Sequence, residues 1–206
     1  GPASAGGLPC ATTIHMAKNI LLCTLGGSWA VVPEVYAFLA PERLPLYRQH
    51  PQRHDFEHVR EQHQMQTPDE VWVCTTQGAQ TRQGIRALWA WRELVPQAPT
   101  IRIWEAEGTD QLATQHECAH VQELLLRSCL LAHEQAHGGQ VALSLAGGRK
   151  TMSADLQWAG HLFGCHALIH VVGRDPLPEL LRNPAAETLA QPLPADVCLS
   201  VMPLIA

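Results

Sequence analysis

The feature that most constrains this chain is a recurring unit. A short, nearly unbroken apolar run ends in a turn, and a stretch with apolar residues at helical spacing follows it. Residues 19–25 form the first such run, closed by Gly26-Gly27, and residues 29–39 then carry Val31, Val32, Val35, Phe38 and Leu39 at helical spacing. The pattern predicts a second strand over 71–75 and a second helix over 77–94, with Ile85, Leu88, Trp89 and Trp91 as its apolar positions. A third strand over 100–105 precedes a long helix over 110–137, stopped by Gly138-Gly139. A fourth strand spans 140–146, a fourth helix 151–163 and a fifth strand 167–172. A Pro-rich tail follows, and residues 197–202 are read as one more strand. Strands apolar on both faces, alternating with helices, predict an α/β fold: a Rossmann-like, mostly parallel sheet with helices on both faces.

Residues 16–206 read as a single domain, with no internal repeat and no interdomain linker. The segment 41–69, rich in Pro, His, Gln and Arg, interrupts the alternation. It is read as an insertion with one short helix, or as a lid whose His50, His54 or His58 could reach a ligand. Gly1-Pro2 resembles a protease-cleavage scar, so residues 1–15 are set aside as a tag or disordered leader, with Met16 as a plausible native start.

Composition narrows the function classes. The chain has 206 residues, 46% apolar and 16% charged, which suits one globular domain with a substantial core. A formal net charge of -5 argues against a long nucleic-acid duplex as partner. A short oligonucleotide held at one site needs only local donors and stays open. The seven cysteines are odd in number, scattered and without a Cys-x-x-Cys pair, which predicts free thiols in a reducing, cytoplasmic setting. No apolar run approaches membrane-spanning length, so no membrane partner is expected.

Two strand-to-helix turns carry the chemistry. In sheets of this kind ligands sit beyond the carboxyl ends of the strands, where strand order reverses. The first turn contains Gly26, Gly27, Ser28 and Trp29, and the second Gly147, Gly148, Arg149, Lys150 and Thr151. Paired glycines allow close backbone approach, and a helix N-terminus supplies unpaired N–H groups and a positive dipole end. Lys150 and Arg149 add charge, while Ser28 and Thr151 add hydroxyls. The chemistry expected of the pair is phosphate capture. In the plainer reading both turns only close tight connections, and the two cations are solvated. A Walker motif is absent, because Arg149 precedes Lys150 where that motif needs glycine. The G-x-G-x-x-G dinucleotide fingerprint is absent as well.

The stretch Leu143-Ser-Leu-Ala-Gly-Gly-Arg-Lys-Thr-Met-Ser153 resembles the signature of CRISPR-associated Rossmann-fold (CARF) domains, and is closest to their compact group with an Ala-Gly-Gly-Arg-Lys-Thr-Met motif. The similarity extends to the first turn and helix, to the stretch from Cys74 to Ala79, and to Leu162-Phe163-Gly164. The resemblance implies recognition of a cyclic oligoadenylate, the second messenger of type III CRISPR defence, across a symmetric homodimer, with the tetra-adenylate favoured. In ring nucleases of that group a ribose 2′-hydroxyl attacks the neighbouring phosphate without a metal or other cofactor, leaving a 2′,3′-cyclic phosphate. By the same resemblance Lys150 contacts the scissile phosphate and Ser28 positions it. Arg149, Thr151 and the backbone of Gly147 and Gly148 serve as phosphate donors, and Gln77 faces adenine or ribose. Trp29 stands where the family usually has proline, and either stacks on an adenine or packs on the core. A non-catalytic sensor of the same ring is the alternative implied.

Two other patterns compete. His116-Glu117-Cys118-Ala119-His120 is a literal H-E-x-x-H, which on a helix suits zinc with Glu117 as base. Its third ligand is missing: Leu126 stands where a metzincin has histidine, and Glu134 lies on the same helix. With 12 histidines in the chain, accidental matches are common. Arg53 to His58 and Arg127 to His133 match the loose Arg-x4–6-His motif of HEPN ribonucleases, without a second helical domain to hold it.

Overall fold

The computed structural model describes residues 15–173, 175–197 and 199–204, the last stretch as backbone. Five parallel strands, β1 (Ile20–Leu25), β2 (Glu70–Thr75), β3 (Thr100–Glu105), β4 (Val141–Ser144) and β5 (Ala167–Gly173), form one sheet with an antiparallel edge strand, β6 (Leu199–Leu204). The order is β3-β2-β1-β4-β5-β6. Every residue of β1, β2 and β4 is buried, as expected of strands covered on both faces. The edge strand β3 exposes Thr100, Arg102 and Glu105, side chains that discourage further strand pairing.

Helices α1 (Val31–Leu39) and α3 (Ala79–Leu94) pack in one hydrophobic core, and α4 (Gln115–Ala136) and α5 (Lys150–Phe163) in another, on the opposite face. The expected α/β arrangement is thus present. Its boundaries shift for local reasons. The long helix starts at Gln115 instead of 110, because the Thr114 hydroxyl accepts from the Glu117 N–H at 3.2 Å and caps it there. At its other end His137 takes the left-handed conformation, with Gly138 at φ +86° after it. The fourth strand stops at Ser144, which frees residues 145–149 to form the turn before α5.

Helix α1 is buried nearly all round, beyond what one sheet face can cover. The rest of the cover comes from the tail and from the 41–69 segment. Leu181, Leu189 and Leu193 of the tail join the core that α1 occupies. Trp91 Nε1 donates to Leu189 O at 2.7 Å, and Leu193 N donates to Leu46 O at 2.9 Å. What reads as a loose Pro-rich tail is a third layer.

The 41–69 segment is not a lid. Its helix, α2 (Arg53–Gln62), lies at the amino end of the sheet. Helix α1 descends from the carboxyl end of β1, so the segment that follows it must begin at the opposite end and rejoin β2 at Glu70. The contacts agree: Gln66 N donates to Gln140 Oε1 at 3.0 Å, Gln140 Nε2 donates to Gln64 O at 2.7 Å, and His166 Nε2 meets His63 O at 2.7 Å, all beside the starts of β4 and β5. His50, His54 and His58 are carried on this segment, at the end of the sheet opposite the glycine turns, and none of them lines the cleft there. The expected leader falls outside the described residues except for His15. Cys23, Cys74, Cys118, Cys129 and Cys165 are free thiols, while Cys10 and Cys198 lie outside the described residues. Among the described residues no helix is long and apolar enough to cross a membrane.

Candidate ligand site at the strand-order reversal

The chain runs outward from β1 through β2 to β3, then crosses back to place β4 against the other side of β1. The reversal thus falls between β1 and β4, and the two glycine turns are the loops that leave these strands. They touch. A Cβ at Gly26 would lie 3.0 Å from Gly148 Cα, and one at Gly147 would lie 2.1 Å from Thr24 O. Gly148 has φ +79°, which lets the backbone reverse just before α5.

Hydroxyls at the strand ends fix this arrangement. Thr24 Oγ1 donates to Gly147 O at 2.7 Å, and Thr75 Oγ1 donates to Leu25 O at 2.8 Å. Ser153 Oγ donates to Leu145 O at 3.1 Å and to Gly147 O at 3.3 Å, so the last serine of the motif holds the turn from inside. The result is a rigid rim from which Gly27, Ser28, Gly148, Arg149, Lys150 and Thr151 are exposed. Neither Ser28, Lys150 nor Thr151 makes a side-chain hydrogen bond or ion pair among the described residues. Helix α5 starts at Lys150 without a Ser, Thr, Asp or Asn cap: the Arg149 N–H donates to Met152 Sδ at 3.4 Å and the Met152 N–H to Arg149 O at 2.9 Å, which leaves the N–H groups of Lys150 and Thr151 beside these side chains. Open N–H groups, the dipole end and a free ammonium together favour an anion.

The cleft between the turns, about 200 Å³, has a further wall that the sequence reading missed: Thr76, Gln80, Asp110 and Gln111. Arg149 Nη2 donates across it to Gln111 Oε1. Asp110 comes from the β3–α4 loop, which Glu117 secures by accepting from Asp110 N and Ala113 N, both at 3.0 Å. These bonds hold the Glu117 carboxyl below its ordinary value. The loop was legible only as another βα connection at the carboxyl edge. That it folds toward Arg149 depends on tertiary contacts.

Two of the expected site residues are used otherwise. Trp29 is only 4% exposed, packs in the α1/α3 core, and donates its indole N–H to Pro184 O at 3.3 Å. Its ring has no free face for an adenine; it is a core residue that anchors the tail. Gln77 is turned to the neighbouring β3–α4 connection: Oε1 accepts from Gly108 N at 2.9 Å, and Nε2 donates to Glu105 Oε2 at 3.4 Å. Glu117 likewise serves as a helix cap, and among the described residues no three His, Cys, Asp or Glu side chains gather where a metal ion could be held. The H-E-x-x-H pattern thus falls on the first two turns of α4. Of the two HEPN-like patterns, Arg127 is paired with Glu123 at 2.7 Å, one turn away on the same helix.

Comparison with known families decides what this frame belongs to. The family model described as CRISPR-associated protein NE0113 matches residues 59–201, most of the chain. The chain belongs to the CRISPR-associated protein NE0113 family. No curated protein matches the sequence. Among solved structures this NE0113 family member is similar to Enterococcus italicus Csm6 bound to cyclic hexa-2′-fluoro-hexa-dAMP, with a TM-score of 0.51 and 13% identity over 84% of the chain. At that identity the likeness is one of fold. The NE0113 family member covers 39% of that Csm6 chain. Can2 from Sulfobacillus thermosulfidooxidans, in complex with cyclic tetra-adenylate, is also similar, with a TM-score of 0.43 and 15% identity over 74% of this chain and 31% of its own. The CRISPR-associated family that the resemblance implied is borne out by the family match, and the Rossmann-like fold by the structural likeness.

Proposed function

We propose that the chain binds a cyclic oligoadenylate, with the tetra-adenylate favoured, at the cleft between the two glycine turns, and that it cleaves the ring. The observation that carries this is the contact of Gly26 with Gly148 at the strand-order reversal, with Lys150, unpaired among the described residues, at the N-terminus of α5 beside it. The chemistry asked of the residues is modest. A ribose 2′-oxygen attacks the adjacent phosphorus, the bond from phosphorus to the 5′-oxygen breaks, and a 2′,3′-cyclic phosphate and a 5′-hydroxyl result. Holding the 2′-oxygen in line and neutralising the phosphorane account for the acceleration, which no metal is needed to supply. Lys150 provides the charge, Ser28 positions the phosphate, and Arg149, Thr151 and the N–H groups of Gly147 and Gly148 donate to its oxygens. Asp110, which lines the wall of the cleft, is the carboxylate we assign to receive the proton of the 2′-hydroxyl, the leaving 5′-oxygen taking up a proton in turn.

The ring is symmetric, and a second copy of the chain completes the site. From Lys150 an exposed stripe runs down α5 through Ala154, Trp158 and Leu162, with Trp158 47% and Leu162 53% exposed. An apolar stripe continuous with the ligand rim suits a two-fold interface with the site on its axis.

The test is incubation with cyclic tetra- and hexa-adenylate in EDTA, followed by chromatography. Linear products ending in a 2′,3′-cyclic phosphate, reduced at least 100-fold by Lys150→Ala, are the expected result. The second reading, a sensor that binds without cleaving, is favoured by one observation: the similar Csm6 chain is more than twice as long as the part matched here. Tight binding with intact ring would select it. Neither binding nor cleavage would sink both.

A further inference from the structure

Beside the cleft that Arg149 and Asp110 line lies a second, larger groove of about 610 Å³, between α3 and the tail turn at Asn183-Pro184. It shares Gly27 and Gln80 with the first cleft, so the two are continuous across the first glycine turn. Their chemistry differs sharply. The groove has no charged residue in its lining, and its polar side chains are Ser28 at the shared rim and three amides, Gln80, Gln83 and Asn183. Resting on the cyclic oligoadenylate reading above, we infer that this groove is the base-reading subsite: it seats an adenine of the ring whose phosphate lies at Lys150.

An amide offers one donor and one acceptor at fixed spacing, the complement of adenine N7 and its 6-amino group. Arg or Lys there would favour guanine, whose O6 and N7 both accept, and Asp or Glu would favour cytosine; the groove is lined by neither. Gln80 lies against the turn itself, since a Cβ at Gly27 would meet its Oε1 at 3.4 Å. Gln83 is one turn further along α3 and faces the groove away from the cations. Its neighbour Gly84 lets α3 settle on Trp29, whose Cβ would be 3.4 Å from an added methyl. Asn183 stands at φ +47°, a conformation that asparagine tolerates. The turn that presents it is clamped, because Pro184 is buried and its carbonyl accepts the Trp29 indole N–H. The aromatic residue that opens the first helix thus fixes the wall of the groove, and the tail becomes part of the site.

Gln83 and Asn183 are exposed, so their substitution leaves the core intact, and Asn183→Gly preserves the backbone conformation. Binding of cyclic tetra-adenylate and of cyclic tetra-inosinate, which carries a 6-oxo group in place of the 6-amino group, separates base from phosphate recognition. The native chain is expected to prefer the adenylate. Gln83→Ala and Asn183→Gly are each expected to weaken adenylate binding about tenfold or more and inosinate binding clearly less, since inosine keeps N7 but lacks the 6-amino donor, with the thermal midpoint unchanged. Lys150→Ala is expected to weaken both rings alike. If the native chain binds adenylate but shows no preference, or if both amide variants shift the two rings equally or not at all, the subsite is overturned and the ring-binding reading stands. Failure of the native chain to bind either ring overturns both.

Discussion

A single methyl group at Gly147 would have nowhere to go, since the Cβ position is 2.1 Å from a backbone oxygen of the neighbouring strand. Gly147→Ala is therefore expected to destabilise the fold by about 1–3 kcal/mol in urea unfolding, because the turn must move away from Thr24. Ring binding should fall with it, as Gly148 and Arg149 shift together. A second residue-level prediction concerns Glu34, buried in the first turn of α1, where desolvation raises its carboxyl from 4.5 to about 7. Folded, it keeps its proton up to about pH 7; unfolded, it loses it near 4.5. The folded chain thus binds more protons between these values, and stability is full below about 4.5 and falls as pH rises through about 7. The loss is on the order of 3 kcal/mol. Glu34→Gln is expected to flatten that slope in denaturant titrations between pH 5 and 8.

At the scale of elements, α5 joins two surfaces. Its N-terminus presents Lys150 and open N–H groups, and its length presents Trp158 and Leu162. Trp158→Glu is expected to turn a dimer into a monomer in sedimentation, and to weaken ring binding although the side chain lies two turns from Lys150. A dimer that survives the change would place the two-fold interface elsewhere. Helix α4 shows how a motif misleads: the H-E-x-x-H match is composed of a cap, Glu117, and two imidazoles on the first two turns. The chain uses Thr114 and Glu117 as a cap instead: the Thr114 hydroxyl accepts from the Glu117 N–H, and the Glu117 carboxylate accepts from the Ala113 N–H.

For the whole molecule, the tail between residues 175 and 197 is structural. It supplies Leu181, Leu189 and Leu193 to the core above α1 and accepts the indole protons of both Trp29 and Trp91. Leu189→Ala is expected to cost about 2–5 kcal/mol, read by urea unfolding, a loss that a peripheral tail would not show.

The sequence by itself determined the alternation of strands and helices, the parallel sheet, and the two glycine turns with their cations. Those features rest on local pattern: unbroken apolar runs, helical periodicity, glycine where backbone must approach backbone. Strand order, by contrast, was decided only in three dimensions, and with it the meeting of Gly26 with Gly148. The same holds for Asp110 and Gln111, which reach the cleft through a loop whose path is set by Glu117 and Arg149. Segment 41–69 looked like a lid because its composition is polar, yet composition carries no direction; the descent of α1 put it at the far end. Trp29 looked available for stacking because it adjoins the turn. Burying a large indole beneath a tail more than 150 residues away removes far more apolar area from water than a one-sided stack would, and no local pattern can report a contact at that separation.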